Sequence, residues 1–411
     1  MTYQTYCLKS GLRVVFMPAT SKIVYCGIVI DAGSRNENEE QHGMAHFVEH
    51  LLFKGTEKRS ATQIINHLEN VGGELNAFTA KEETVIYAAV LPQYTEKAIN
   101  LIADVTLHSI FDEKQFNRER EVVLDEIDSY EDSPSELIFD DFEKELFLDN
   151  QALGHFILGE KALLQKYTRN NVFDFYKQNY KPQNMVLFVR GDVDFKKIIK
   201  WGEKYFDCFE DFNPAPTKIL NPAKINIKPT RKILQKNTTQ THVAIGGSAI
   251  NMYDSNRIAV SLLNNILGGT GMSCLLNLSL RERHGLVYTV DSHFQPFTDA
   301  GQWCVYFGCD PHDADKCEEL VYRELRKLRE KAFSDNVLAK YKRQFFGQMA
   351  ISSENSENMA ISLGKSYLRF GKVEDLPKIW AKIEAVQPEQ LLEIANTMFD
   401  TNNICVLKYV P

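Results

Sequence analysis

Two of the ten histidines, His46 and His50, stand four residues apart with Glu49 between them. The surrounding run Gly43-Met44-Ala45-His46-Phe47-Val48-Glu49-His50-Leu51-Leu52-Phe53 carries apolar residues at spacings of three and four, the period of an amphipathic helix. Residues i and i+4 of a helix share a face, so both imidazoles can reach one ion. Glu49 lies beside that face. The order H-x-x-E-H thus supplies two nitrogen ligands and an adjacent carboxylate able to act as a general base. Catalytic zinc takes three protein ligands and keeps a fourth position for water, so a third ligand is required. Glu119 and Glu126, seven apart on one face of a second, acid-rich helical stretch over 118–127, are the candidates, and either can point at the ion. In a chain with this histidine content such a motif arises by accident on the order of 0.02 times. The competing reading is a surface helix with two solvated imidazoles. Against it, the apolar neighbours predict burial, and buried imidazoles and carboxylates need partners, which a metal supplies.

These groups need a scaffold. The 411 residues exceed one ordinary core, so two domains of roughly 200 residues are expected. A proline-dense stretch, Asn213-Pro214-Ala215-Pro216 through Asn221-Pro222 to Lys228-Pro229, excludes regular helix or central strand. It predicts a linker over 213–229 between domains 1–212 and 230–411. The two sides read as diverged copies. Strand-like runs open each, over 12–16 and 24–30 in the first and 241–245 in the second. Helical stretches then end in Phe53-Lys54-Gly55-Thr56 and Leu267-Gly268-Gly269-Thr270. Phe78-Thr79 and Phe297-Thr298 lead into strands over 85–90 and 303–307. Leu91-Pro92 and Asp310-Pro311 precede long amphipathic helices. A repeat of roughly 215–220 residues implies duplication of an α+β unit. In that alignment His46, Glu49 and His50 fall opposite Val260, Leu263 and Asn264, so the chemistry belongs to the first half.

Composition narrows the partners. The hydrophobic fraction is 44% and the charged fraction 25%, ordinary for a globular chain, and no run approaches the ~18 apolar residues that span a bilayer. A formal net charge of −8 disfavours nucleic acid and favours basic ligands. The eight cysteines stand singly with no C-x-x-C pair, which predicts free thiols in a reducing compartment. The N-terminus reads neither as a secretory signal nor as an Arg-rich transit segment. The expected location is bacterial cytoplasm, with mitochondrial matrix or periplasm as the alternatives had a presequence been removed.

On these motifs the chain resembles the pitrilysin/insulinase metallopeptidase family, the inverzincins, and most closely its two-domain branch similar to the mitochondrial processing peptidases. The resemblance covers nearly the whole chain. The family's distal glutamate ligand lies about 76 residues beyond the second histidine, which selects Glu126 as the third ligand beside His46 and His50 and leaves Glu119 as an assisting acid. Gly72-Gly73-Glu74-Leu75-Asn76-Ala77-Phe78-Thr79 looks like the family's edge strand, where substrate pairs with Asn76, Ala77 and Phe78. Leu280-Arg281-Glu282-Arg283-His284-Gly285-Leu286-Val287-Tyr288 looks like the family's Arg…Tyr segment, which carries over Arg281 and Tyr288 as groups polarising the scissile carbonyl. Gly268-Gly269-Thr270-Gly271-Met272-Ser273 and Pro182-Gln183-Asn184-Met185 match further family words. Glu136 and Asp140, i and i+4, align with an acidic pair that reads an arginine two residues before the cut. Their alternative is a solvated acidic face. Phe53 aligns with a pocket for the residue after the cut.

The resemblance implies an α+β fold of two homologous domains, each a mostly antiparallel sheet packed with helices, forming half of a clamshell chamber. It implies one zinc ion per chain, Glu49 as general base, and a zinc metalloendopeptidase acting on unfolded or extended peptides, presequence-like ones with that arginine included. Larger family members carry four such units where this chain has two, so a homodimer or a related partner chain is expected to close the chamber. The alternative function is a non-catalytic, core-protein-like or peptide-holding subunit of a larger assembly.

Overall fold

The computed structural model describes residues 3–147, 151–207 and 229–411. They form two compact units. The first comprises residues 3–128, 155–207 and Ile351–Asp375, and the second 129–147, 151–154, 229–350 and Leu376–Pro411. Neither unit is contiguous in sequence. Apart from Pro229, the expected 213–229 linker lies outside the described residues.

The first unit holds β1 (Gln4–Cys7), β2 (Arg13–Pro18), β3 (Val24–Ile30), β4 (Glu74–Thr79), β5 (Thr84–Val90) and β6 (Met185–Gly191). They hydrogen-bond in the order β1-β2-β6-β3-β5-β4, and only the β2–β6 pair is parallel. Side chains alternate faces along a strand, and the buried residues divide accordingly. Val14, Phe16, Ile28, Leu187 and Val189 join the core with α1 (Met44–Leu52), α2 (Ala61–Glu69), α3 (Thr95–Leu107) and α4 (Glu113–Glu131). Val15, Met17, Val29, Val186 and Phe188 pack with Ala360 and Leu363 of the helix Ser356–Phe370 on the other face. That helix comes close because residue 364 is glycine: a Cβ there would sit 2.6 Å from the Phe188 ring. Both faces being covered explains why β2, β3 and β6 are continuous apolar runs.

The second unit holds α5 (Pro134–Leu146), β7 (Arg231–Gln235), β8 (Thr241–Ser248), β9 (Val287–Pro296), β10 (Gly301–Cys309) and β11 (Cys405–Val410). Its sheet order is β7-β11-β8-β10-β9, with only β7–β11 parallel. Strand for strand and direction for direction, this repeats β2-β6-β3-β5-β4 of the first unit. The duplication legible in the sequence is therefore a duplication of topology, and the fold is α+β. The α5 helix covers β8 and β11, with the Tyr409 hydroxyl donating to Asp141 at 2.6 Å. No helix among the described residues is long and apolar enough to cross a membrane.

Candidate metal centre

The centre is assembled on α1, α4 and β4. The apolar side chains that predicted the α1 helix, Met44, Ala45, Phe47, Val48, Leu51 and Leu52, are all buried. They fix the helix rotationally. On α4, Phe116, Val123 and Ile127 are buried, and Phe47 meets Phe116 edge-to-face at 5.2 Å between centroids. The start of α1 is constrained as well. Gly43 holds φ at +89°, and a Cβ there would lie 2.5 Å from the Leu158 carbonyl oxygen. The buried Glu37 carboxylate accepts the backbone N–H groups of Gly43 at 3.0 Å and Ala45 at 2.8 Å. These donors have no partner inside the helix, and an acid at a helix N-terminus is also favoured by the macrodipole. Burial pushes the Glu37 pKa well above the ordinary range, against the opposing pull of those N–H groups and of Lys81.

His46 and His50 lie side by side, ring centroids 4.6 Å apart. His46 Nε2 is 3.8 Å and His50 Nε2 3.4 Å from Glu126 Oε2, and one ligand atom from each residue lies within 4.8 Å of the others. These separations exceed hydrogen-bond length, so lone-pair atoms converge without a proton shared between them. Burial, then His50, pulls the His46 pKa down to about 3, which keeps its imidazole neutral as ligation requires. The Nδ1 atom of His46 is buried with no hydrogen-bond partner. Tetrahedral coordination with bonds of about 2.1 Å has edges of about 3.4 Å, and the observed separations approach that. The donor set fits a zinc ion.

Two acids flank the trio. Glu49 is half-buried, and its Oε2 accepts the Thr79 hydroxyl at 3.2 Å. Burial raises its pKa and Glu126 adds to the rise, against His50 and Thr79. Glu119 is buried; its Oε2 lies 3.5 Å from His50 Nδ1 and its Oε1 2.8 Å from Lys54 Nζ. It stands behind the His50 ring, where a carboxylate can orient it.

The remaining predicted residues are distributed as follows. Asn76, Ala77 and Phe78 lie on β4, which ends the sheet and pairs only with β5 among the described residues. Asn76 is exposed and the other two half-buried. Phe53 caps the C-terminal end of α1, half-buried against the core. Glu136 and Asp140 share a turn of α5 in the second unit; the Tyr130 hydroxyl donates to Asp140 Oδ2 at 2.5 Å and to the Glu136 carbonyl at 3.2 Å. Arg281 lies in the helical turn Asn277–Glu282, and Tyr288, 85% exposed, near the start of β9. At the positions aligned with the motif, Val260 and Leu263 are buried core residues, and Asn264 exchanges hydrogen bonds with Ser292 of β9. Sequence reasoning missed Glu37, Lys54 and the Thr79–Glu49 bond. None of the three carries a local spacing that singles it out in the sequence.

Comparison with known proteins identifies the family. Residues 13–160 match the family described as Insulinase (Peptidase family M16), and residues 166–345 match the Peptidase M16 inactive domain. A Bacillus subtilis protein named uncharacterized zinc protease YmxG is 32% identical over 96% of this chain and 95% of its own length. An uncharacterized zinc protease of Rickettsia felis is 32% identical over 96% of this chain and 94% of its own. The chain belongs to the insulinase family, peptidase family M16. A Helicobacter pylori protease crystal structure superposes with a TM-score of 0.90 at 22% identity, covering 100% of both chains. A Pseudomonas fluorescens structure described as a peptidase M16 inactive domain gives 0.91 at 21%, covering 100% of this chain and 98% of that one. These two share the fold.

Proposed function

We propose that this chain is a zinc metalloendopeptidase that hydrolyses unfolded or extended peptides, with one zinc ion held by His46, His50 and Glu126. The observation that carries the reading is the convergence of those three ligand atoms within 4.8 Å beside the half-buried Glu49 carboxylate. That relatives similar over nearly the whole chain are named zinc proteases supports the choice of metal. When bound, zinc supplies Lewis acidity, which lowers the pKa of water and polarises a carbonyl oxygen.

The chain's own groups do the rest. Glu49 takes the proton of the attacking water and delivers it to the leaving amine. Its raised proton affinity suits both steps, and the Thr79 hydroxyl fixes the rotation of its carboxylate. Glu119 holds His50 from behind, with Lys54 balancing its charge. An extended peptide adds to the outer edge of β4 by main-chain pairing along Asn76, Ala77 and Phe78, which gives affinity with little sequence reading. Phe53 borders the residue after the cut. Arg281 and Tyr288 stabilise the oxyanion of the scissile carbonyl. Glu136 and Asp140 favour an arginine two residues before the cut. The active form is a homodimer or a complex with a related chain, working in a bacterial cytoplasm.

The test is an assay on two extended peptides, one with arginine two residues before a cut and one with alanine there, with and without chelator. Cleavage that stops on chelation supports the reading, and faster cleavage of the arginine peptide supports the acidic pair. Tight metal binding without cleavage of either peptide would replace the reading with a non-catalytic or peptide-holding subunit.

A further inference from the structure

Between the segment leading into α2 and the first turn of α3, a cleft of about 510 Å³ carries a different chemistry. Lys58, Arg59 and Lys97 supply three cations, and His67 a fourth titratable group. The rest of the lining is carboxamide, from Gln63, Asn66 and Asn70. No acid and no apolar side chain lines it, and every lining side chain can donate a hydrogen bond. In a chain of net charge −8 this is a local excess of positive charge. Lys58 and Lys97 have no ion-pair partner within 4.0 Å among the described residues. Arg59 is held from behind by Asp104 and by Asn100 Oδ1, the latter at 2.6 Å, so its guanidinium is preorganised. The Nε2 atom of His67 is buried without a hydrogen-bond partner. Burial, then Arg59 and Lys97, hold the His67 pKa below its ordinary value, against the opposing pull of the Lys97 backbone and of Asp104.

Asp104 compensates Arg59, so a single carboxylate would balance one of the two remaining charges, Lys58 and Lys97, and use few of the donors. A diphosphate offers several acceptor oxygens and a matching charge, and the cleft has room for two phosphoryl groups. We propose that this cleft is a binding site for a diphosphate, either inorganic pyrophosphate or the diphosphate of a nucleotide. With no apolar or aromatic wall to take a base, recognition lies in the phosphates, and the two sources bind alike.

The test is calorimetric titration of the full-length protein with pyrophosphate, ADP and sulfate at fixed ionic strength, repeated on the double variant Lys58→Gln/Lys97→Gln. The expected result is saturable one-to-one binding of pyrophosphate and ADP, weaker binding of sulfate, and affinity lowered by about tenfold or more in a variant that melts like wild type. Pyrophosphate that merely stripped a metal from the protein would be indifferent to these two lysines. A second readout is local: the His67 ring resonances move towards the imidazolium form as diphosphate fills the cleft. No binding by wild type, undiminished binding by the double variant, or a His67 ring that does not respond would overturn the proposal.

Discussion

Glu37 accepts two backbone N–H groups at the start of α1, and replacing it gives a quantitative prediction. In Glu37→Ala the backbone N–H groups of Gly43 and Ala45 lose their acceptor at a position that is 6% exposed. A buried donor left unsatisfied costs about 1–3 kcal/mol. Two of them give about 2–6 kcal/mol. Water entering the vacated space recovers part of this, so a loss of about 3 kcal/mol is expected. Glu39→Ala, two residues away and exposed, is the control and should lie within about 0.5 kcal/mol of wild type. The assay is equilibrium denaturation of the metal-free protein, followed by a probe in the first unit, with amide exchange at Gly43–Ala45 as the local readout. Glu37→Ala should accelerate exchange there well beyond Glu39→Ala. If the two variants were equally stable and their α1 amides equally protected, the reasoning that ties α1 to Glu37 would be wrong.

Four further outcomes are expected. Thr79→Val removes a bond that lowers the Glu49 pKa; since the base must be ionised and activity is lost as pH falls through its pKa, the acidic limb of kcat/KM should move to higher pH. Gly43→Ala forces a Cβ to 2.5 Å from the Leu158 carbonyl oxygen at φ +89°, whereas Gly371→Ala meets nothing within 4 Å at φ +62°; melting curves should give the second the ~1 kcal/mol left-handed penalty alone and the first clearly more. Metal removal should destabilise the first unit, because a ligand at about one hundred times its dissociation constant stabilises by about 2.7 kcal/mol; the zinc-dependent rise in Tm should vanish in His46→Ala. In the metal-free protein the folded-state His46 pKa lies below the ordinary 6.5, at about 3, so unfolded chain binds the extra proton between those values; stability should fall with pH across that window, and His46→Gln should flatten the decline.

Much of this was legible in the sequence because it is periodic. The α1 motif announces itself by apolar residues at helical spacing, and those residues are the ones buried. The runs over 24–30, 85–90, 241–245 and 303–307 lie within β3, β5, β8 and β10, and the run over 12–16 overlaps β2 from Arg13 on, since strands covered on both faces are continuously apolar. The Leu91-Pro92 and Asp310-Pro311 punctuation does precede a helix in each copy. What was not legible is carried by long-range contacts without a period. The packing of 129–147 and 151–154 with the second sheet and of Ile351–Asp375 with the first depends on particular complementarities, such as Gly364 against Phe188 and Phe142 against Gly246. Glu37 capping a helix that starts seven residues later matches no local capping pattern. The Lys54–Glu119–His50 chain joins residues 65 and 69 apart in sequence only through tertiary packing.

The most direct test of the central claim is the zinc content and peptide cleavage of Glu49→Gln measured beside wild type. Because Glu49 flanks the ligand trio and Gln preserves its size and its bond with Thr79, the variant should retain about one zinc per chain and lose cleavage by several orders of magnitude, more than the ~10²–10⁴ typical of a general base alone if proton delivery fails as well. A variant that holds its zinc and still cleaves at the wild-type rate would contradict the assignment of Glu49, and with it the account of this centre as a peptidase site.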